Sequence, residues 1–142
     1  MAGIGNAPSM RGYHFEDYQF AMNLAAGITT ADVGKAVSVD TSGDNKVKLA
    51  IDDSQIIGRL EVVEPRTQEG VLIGTVALHF ADLLPVKTGL TGAEAVVVGS
   101  TVVGAGSGEV KARVVSAAAA PDYSINRVTA ISTGFAVVVK VS

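Results

Sequence analysis

The chain is expected to be all-β, a small barrel or sandwich built from two degenerate half-repeats with an extended N-terminal arm. Three observations lead there. Apolar and polar side chains alternate with a period of two through most of the sequence, which is the signature of half-buried strands. Glycine, at 16 of 142 residues, clusters where tight turns would fall. A hairpin pattern is also written twice, as VGKAVSVDTSGDNKVKL over residues 33–49 and VGSTVVGAGSGEVKARV over residues 98–114.

Each copy opens on Val-Gly, runs into a short apolar strand, turns on Ser-Gly and returns through Val-Lys. In the first, Val37, Val39, Val47 and Leu49 face inward and Lys46 and Lys48 outward. In the second, Val110, Ala112 and Val114 oppose Lys111 and Arg113. Ser42-Gly43-Asp44-Asn45 and the run Gly104-Ala105-Gly106-Ser107-Gly108 are the expected turns. Two longer strands follow each hairpin, over residues 55–62 and 70–78, then 126–131 and 133–141. The order of elements therefore repeats along with the spelling. Alternation assigns Val37, Val39, Val47, Leu49, Ile57, Leu60, Val62, Ile73, Val76 and Leu78 to the core of the first half. It assigns Val102, Val110, Val114, Val128, Ile131, Val137, Val139 and Val141 to that of the second. Gly58 and Gly74, inside strand patterns, mark bulges or strong bends, and Pro85 restricts its strand to an edge or a bend. Residues 29–34 suit one helical turn ended by Gly34.

Residues 1–26 read differently from the barrel domain of residues 27–142. Tyr13, Phe15, Tyr18 and Phe20 lie there, flanked by Met10 and Met22, with His14 on the alternate face. The spacing suits an extended segment with a bend near Glu16-Asp17. Burying these aromatics does not by itself offset the entropy of ordering the segment. Two readings stand: an arm that docks on another chain, and an ordinary first strand of the same domain.

Composition narrows the chemistry. The chain has no cysteine, so no disulfide framework and no thiolate. Net charge is −3 and basic residues are scattered singly, which gives nucleic acid little to hold. No basic region precedes an apolar core at the N-terminus, no myristoylation pattern is present, and no apolar run is long enough to span a bilayer. No GxxxxGK[ST] loop exists, and the glycines of residues 104–108 sit in a hairpin rather than before a helix. Asp52-Asp53 and Asp40 with Asp44 lack the order of a calcium loop. His79 and His14 are not spaced as metal ligands or as a catalytic pair. No catalytic residue, cofactor or metal is therefore expected, and the chain does not read as an enzyme.

The runs GITTADVGKAVSVDTSGDNKVKLA, IIGRLEVVE, GVLIGTVALHFADLLPVKTG, VGSTVVGAGSGEVK and AVVVKV resemble the small capsid decoration, or cement, proteins of tailed bacteriophages. The resemblance covers residues 27–142. It implies a small β-tulip-like barrel without enzymatic activity. It further implies a protein made in a bacterial cytoplasm and carried on the outer capsid surface, with the major capsid protein as partner and a homotrimer as the expected assembly. Under that reading Tyr13, His14, Phe15, Tyr18, Phe20 and Met22 form the capsid-binding arm. Val63, Leu84 and Val97, apolar and outside the expected core face, supply self-association. Deleting residues 1–24 is then expected to leave a folded barrel. The alternative is a carbohydrate- or receptor-binding β module on a virion or cell surface. The barrel's Phe80, Tyr123 and Phe135 are a sparse aromatic set for it. The missing phosphate loop and acidic balance predict that calorimetric titration with ATP shows no stoichiometric binding.

Overall fold

The computed structural model describes residues 19–66, 69–114 and 126–141. Among them the strands are β1 Gln19–Leu24, β2 Ala36–Val39, β3 Lys46–Leu49, β4 Gly58–Arg66 and β5 Val71–Ala77. They continue with β6 Phe80–Pro85, β7 Val102–Gly106, β8 Glu109–Ala112, β9 Asn126–Ser132 and β10 Phe135–Lys140. The fold is all-β as expected, and the only helical pieces among these residues are the 3-10 turns Thr30–Asp32 and Gly92–Glu94. Thr29 caps the first turn. Its hydroxyl accepts from the Ala31 N–H and its own N–H donates to Asp32 at 2.9 Å.

β1 to β5 close into a barrel in the order β1-β3-β2-β4-β5. The second half repeats the plan in a more open form, with a sheet β9-β10-β6 and a hairpin β7-β8. β1 runs antiparallel to β5 and parallel to β3. β6 likewise runs antiparallel to β10, and Val86 bridges Val110 of β8 in parallel. A bulge falls between Leu60 and Val62 of β4, and another between Val128 and Ala130 of β9. Gly34 N–H donates to the Leu60 carbonyl at 2.7 Å, and Gly99 N–H to that of Val128 at 2.8 Å. Lys35 and Ser100 carbonyls accept in return from Leu60 and Val128, each at 2.9 Å. The repeated unit thus extends further back than the hairpin, to a strand and a 3-10 turn in front of it.

One matched position links the strands differently in the two halves. Val37 pairs with Gly58 to join β2 to β4. A Cβ on Gly58 would lie 2.5 Å from Val76 Cγ1 and 2.6 Å from the Ala77 carbonyl, so only glycine lets the strands close there. The register of the bulged strands puts Asn126 in the equivalent place. Its buried amide accepts from Val102 N–H at 2.9 Å and reaches the Val102 carbonyl at 3.4 Å. A side chain there does what backbone does in the first half.

Several expectations need correction. The boundary at residue 26 does not hold, because β1 is a stave of the barrel, paired with β5 from Gln19 to Asn23 and with β3 at Asn23 and Leu24. Removing residues 1–24 would take that stave away. In β4 the bulge adds a residue, so Leu60 and Val63 both point inward and Val62 is half exposed. In β10 the phase is the reverse of that expected: Ala136, Val138 and Lys140 are buried, while Val137 and Val139 take the other face. Lys140 can lie inside because its ammonium donates to the Leu78 carbonyl at 3.0 Å. Val39, Val114, Ile131 and Val141 are exposed, Ile131 one residue inside the end of β9 and the others at or beyond a strand end. The hairpin turn expected over residues 104–108 narrows to Ser107-Gly108, with Gly104 to Gly106 inside β7.

The inverted phase of β10 yields a direct test. Val138→Asp places an unpaired charge in the core, and Val139→Asp places one on the half-covered outer face. Urea denaturation should show the first to cost at least about 3 kcal/mol more than the second. Equal losses would contradict the register.

Candidate functional site

The halves meet where small residues let backbones approach. Ala36 N–H donates to the Gly108 carbonyl at 2.9 Å, and Gly108 N–H donates to that of Ala50 at 3.0 Å. The loop after β3 lies on Gly104: Asp53 N–H donates to its carbonyl and its N–H donates to the Ser54 carbonyl, both at 2.9 Å. A Cβ on Gly104 would sit 2.1 Å from the Ile51 carbonyl oxygen, so no other residue fits. Ser38 Oγ in β2 hydrogen-bonds Ser54 Oγ at 2.7 Å and donates to the Gln55 carbonyl, holding the later part of the same loop.

Two cations tie this junction. Lys111, in β8, is buried, and its ammonium contacts Glu94 at 2.8 Å, Asp52 at 2.9 Å and Asp53 at 2.9 Å. Hydrogen bonds to Glu94, then Asp52 and Asp53, hold its pKa well above the ordinary lysine value, and its bond to Asp52 pulls that carboxyl below the usual range. The Asp52-Asp53 pair thus gathers around a built-in cation. Among the described residues no His, Asp and Glu cluster is arranged to hold a metal ion. The second cation, Arg59 of β4, bonds Glu61, donates from Nε to the Leu83 carbonyl at 2.8 Å and lies 3.5 Å from Asp82. It pins β6 of the second half to the first barrel.

An open hollow of about 480 Å³ adjoins Lys111, lined by Asp53, Glu94, Val103, Arg113 and Val114. A second, of about 210 Å³, lies between the halves and is lined by Gln19, Glu61, Ala77, His79, Phe80, Ala81 and Asp82. His79 is half-buried on the bend between β5 and β6, not within a strand. Neither hollow brings a histidine together with a nucleophile and an acid in the arrangement that acyl-transfer chemistry uses.

The feature that distinguishes the halves is the outer face of the second sheet. Cross-strand partners share a face, so Ala81, Leu83 and Pro85 of β6 stand beside Val139, Val137 and Phe135 of β10. Leu83 is 40% and Phe135 45% exposed, and Val137 and Val139 are half-buried. The matching row of the first half reads Gln19, Ala21 and Asn23 beside Ala77, Thr75 and Ile73, which is small or polar at most places. One register thus carries an ordinary solvated face in one half and an apolar one in the other.

Of the residues expected to form a partner surface, Tyr13, His14, Phe15 and Tyr18 lie outside the described residues. Phe20 is half exposed at the start of β1, and Met22 packs on the first core. Leu84 is fully buried and Val63 nearly so, which removes both from any self-association surface. Each points inward from its strand, Leu84 opposite Ala136 and Val63 opposite Gly74. Val97 is exposed, next to exposed Val98. The apolar row on β6 and β10 is hidden in the sequence because alternation places two of its members, Val137 and Val139, in the core.

The Lys111 clamp fixes the sign of a pH response. Asp52 has a lowered pKa, so its contribution is present above the ordinary 3.8 and fades as pH falls through the lowered value. Lys111 has a raised pKa, so its contribution is full below the ordinary 10.5 and is lost only as pH rises through the raised value. Lys111→Met leaves three carboxylates facing one another. Its denaturation midpoint should be lower at pH 7. Between about pH 5 and pH 3 it should recover stability relative to the parent, because protonation relieves repulsion. A constant offset across that range would show that the ammonium is not what holds the carboxylates.

Compared with protein families, curated proteins and solved structures, the chain matches none of them.

Proposed function

We propose that this chain is a structural virion protein, a capsid decoration protein that binds the outer face of a shell of major capsid protein and bridges neighbouring subunits. A shell held by non-covalent contacts resists internal genome pressure better when further contacts must break before it opens. A protein suited to that task needs a stiff body and a fastener rooted in it.

The observation that carries the reading is where the aromatic-rich N-terminal residues join the body. Gln19 begins β1, which is paired along β5 on one side and with β3 on the other. Tension passed from residues 1–18 along β1 is therefore shared by its hydrogen bonds to both neighbouring strands. Tyr13, Phe15 and Tyr18, with His14 between the first two, are the anchors in this reading, since aromatics concentrate interface energy. Phe20 and Met22 belong to the root of the fastener. The body is stiff because two cores, the Lys111 clamp and the Arg59 clamp make the halves one unit. Self-association, proposed as a trimer, draws on the exposed pair Val97 and Val98 and not on Val63 or Leu84.

The truncation that tests the fastener ends at residue 18, since a longer one removes a stave. The 1–18 deletion should retain a strand-dominated circular dichroism spectrum and lose co-sedimentation with undecorated capsids by at least about tenfold in affinity. Undiminished decoration by the folded truncate would sink the proposal, and a glycan array hit for the intact chain would favour a carbohydrate-binding module instead.

A further inference from the structure

We infer that copies of this chain pack head to tail, the second half of one on the first half of the next, with Arg127 of one copy closing on the backbone of Ala21 and the ring of Phe20 in the other. The contact repeats between chains the one that joins the two halves within a chain. It concerns self-association alone and does not depend on the capsid reading.

The internal repeat supplies both surfaces. Within the chain, Arg59 of β4 reaches out of the first half to the edge of β6: its Nε donates to the Leu83 carbonyl at 2.8 Å, and its guanidinium lies 3.5 Å from Asp82. Its cross-strand partner Ala77 is buried in the second core. Leu60 exchanges backbone bonds with Gly34 and Lys35 as Val128 does with Gly99 and Ser100, so Arg127 stands where Arg59 stands. Arg127 pairs with Val139 as Arg59 pairs with Ala77. Arg127 is exposed, and one terminal nitrogen bonds Thr101 and the Asn126 carbonyl. Its Nε, the atom that Arg59 uses across the junction, makes no hydrogen bond among the described residues. The second half thus presents the reaching surface of the first, with no third half in the chain to receive it.

The receiving edge is repeated as well. Ala25 N–H donates to the Val47 carbonyl at 2.9 Å, and Lys87 N–H to that of Val110 at 3.1 Å. Ala21 precedes Ala25 as Leu83 precedes Lys87, so Ala21 of β1 matches Leu83 of β6 and Phe20 matches Asp82. Asn23 N–H points to β3, where it donates to the Asn45 carbonyl at 2.8 Å, and backbone groups two residues apart in a strand point the same way. β1 meets β3 only from Asn23 onward, so the Ala21 carbonyl on that side is unpaired among the described residues. Phe20 beside it is 51% exposed and offers a guanidinium the face of a ring where Asp82 offers a carboxylate. The occupant of this edge is a second copy, because the surface that fits it is the one the chain already uses once. Such a contact is not self-complementary; it closes into a ring or runs on as a fibre. It is weaker than the junction within a chain, because Val115 and Ser116 stand in the sequence where Asp52 and Asp53 clamp Lys111.

Analytical ultracentrifugation of the full chain tests this without a capsid. The intact protein should associate as its concentration rises. Arg127→Glu and Phe20→Lys should each weaken that association at least about tenfold while keeping a strand-dominated circular dichroism spectrum. Mixed in equal amounts, the two variants should associate again, because each contact is then either the original one or one with a charge pair of reversed sense. If either variant fails to fold, Arg127→Gln and Phe20→Ser replace them, and their mixture should form pairs through the one contact left intact. A monomer at every concentration, association unchanged in both variants, or no recovery in the mixture overturns the inference. So does association that Val97→Ser abolishes and Arg127→Glu leaves alone; the trimer built on Val97 and Val98 then survives without this contact.

Discussion

The Lys111 ammonium holds together what the two halves could not hold alone. A β-ladder written twice in one chain yields two small bodies with modest cores, one closed and one with open edges. One must then be fixed on the other. Lys111 comes from the second hairpin, Asp52 and Asp53 from the loop after the first, and Glu94 from the second 3-10 turn. A buried ammonium without partners would be strongly unfavourable. With three carboxylates it becomes a constraint on the position of three segments at once. The backbone bonds at Gly104 and Gly108 join the same segments.

This junction explains why the second core is shared. Ala36, Ala50, Ile56 and Ala77 of the first half pack with Phe80, Leu84, Val102, Val110, Val128, Ala136 and Val138 of the second. The first barrel keeps its own centre of Leu24, Ile28, Val37, Val47, Leu60, Val63 and Val76. Closure of that barrel depends on Gly58. The second half, with Asn126 at the matching place, stays more open and uses an amide side chain as the link. One plan therefore gives a closed body and an open one, and the open one carries the apolar outer face.

Lys111 and Lys140 are both buried lysines, but their chemistry differs. Lys111 is surrounded by carboxylates, and its proton is held tightly. Desolvation instead pulls Lys140 below the ordinary value as its ammonium reaches the Leu78 carbonyl. The difference follows from what each finds inside: negative charge for one, a neutral carbonyl among its contacts for the other. Neither environment can be read from a lysine in an alternating strand.

The sequence by itself determined the fold class, the hairpins, the doubling of the plan and the absence of a phosphate loop. These are local properties: a period of two, glycine and Asn/Asp at turns, and motif order are set by neighbours a few residues apart. The tertiary structure alone decided which face of β10 turns inward. Four apolar residues in succession, Ala136 to Val139, fit either phase, and the choice rests on Leu78 and β6, distant in sequence. It decided that Val62 points outward, because the bulge beside it is defined only by pairing with β5. It also made residues 19–24 a stave rather than part of an arm, since their partners lie on β3 and β5. The apolar outer face was invisible for the same reason: a valine in a strand looks alike on both sides until something non-local covers one of them.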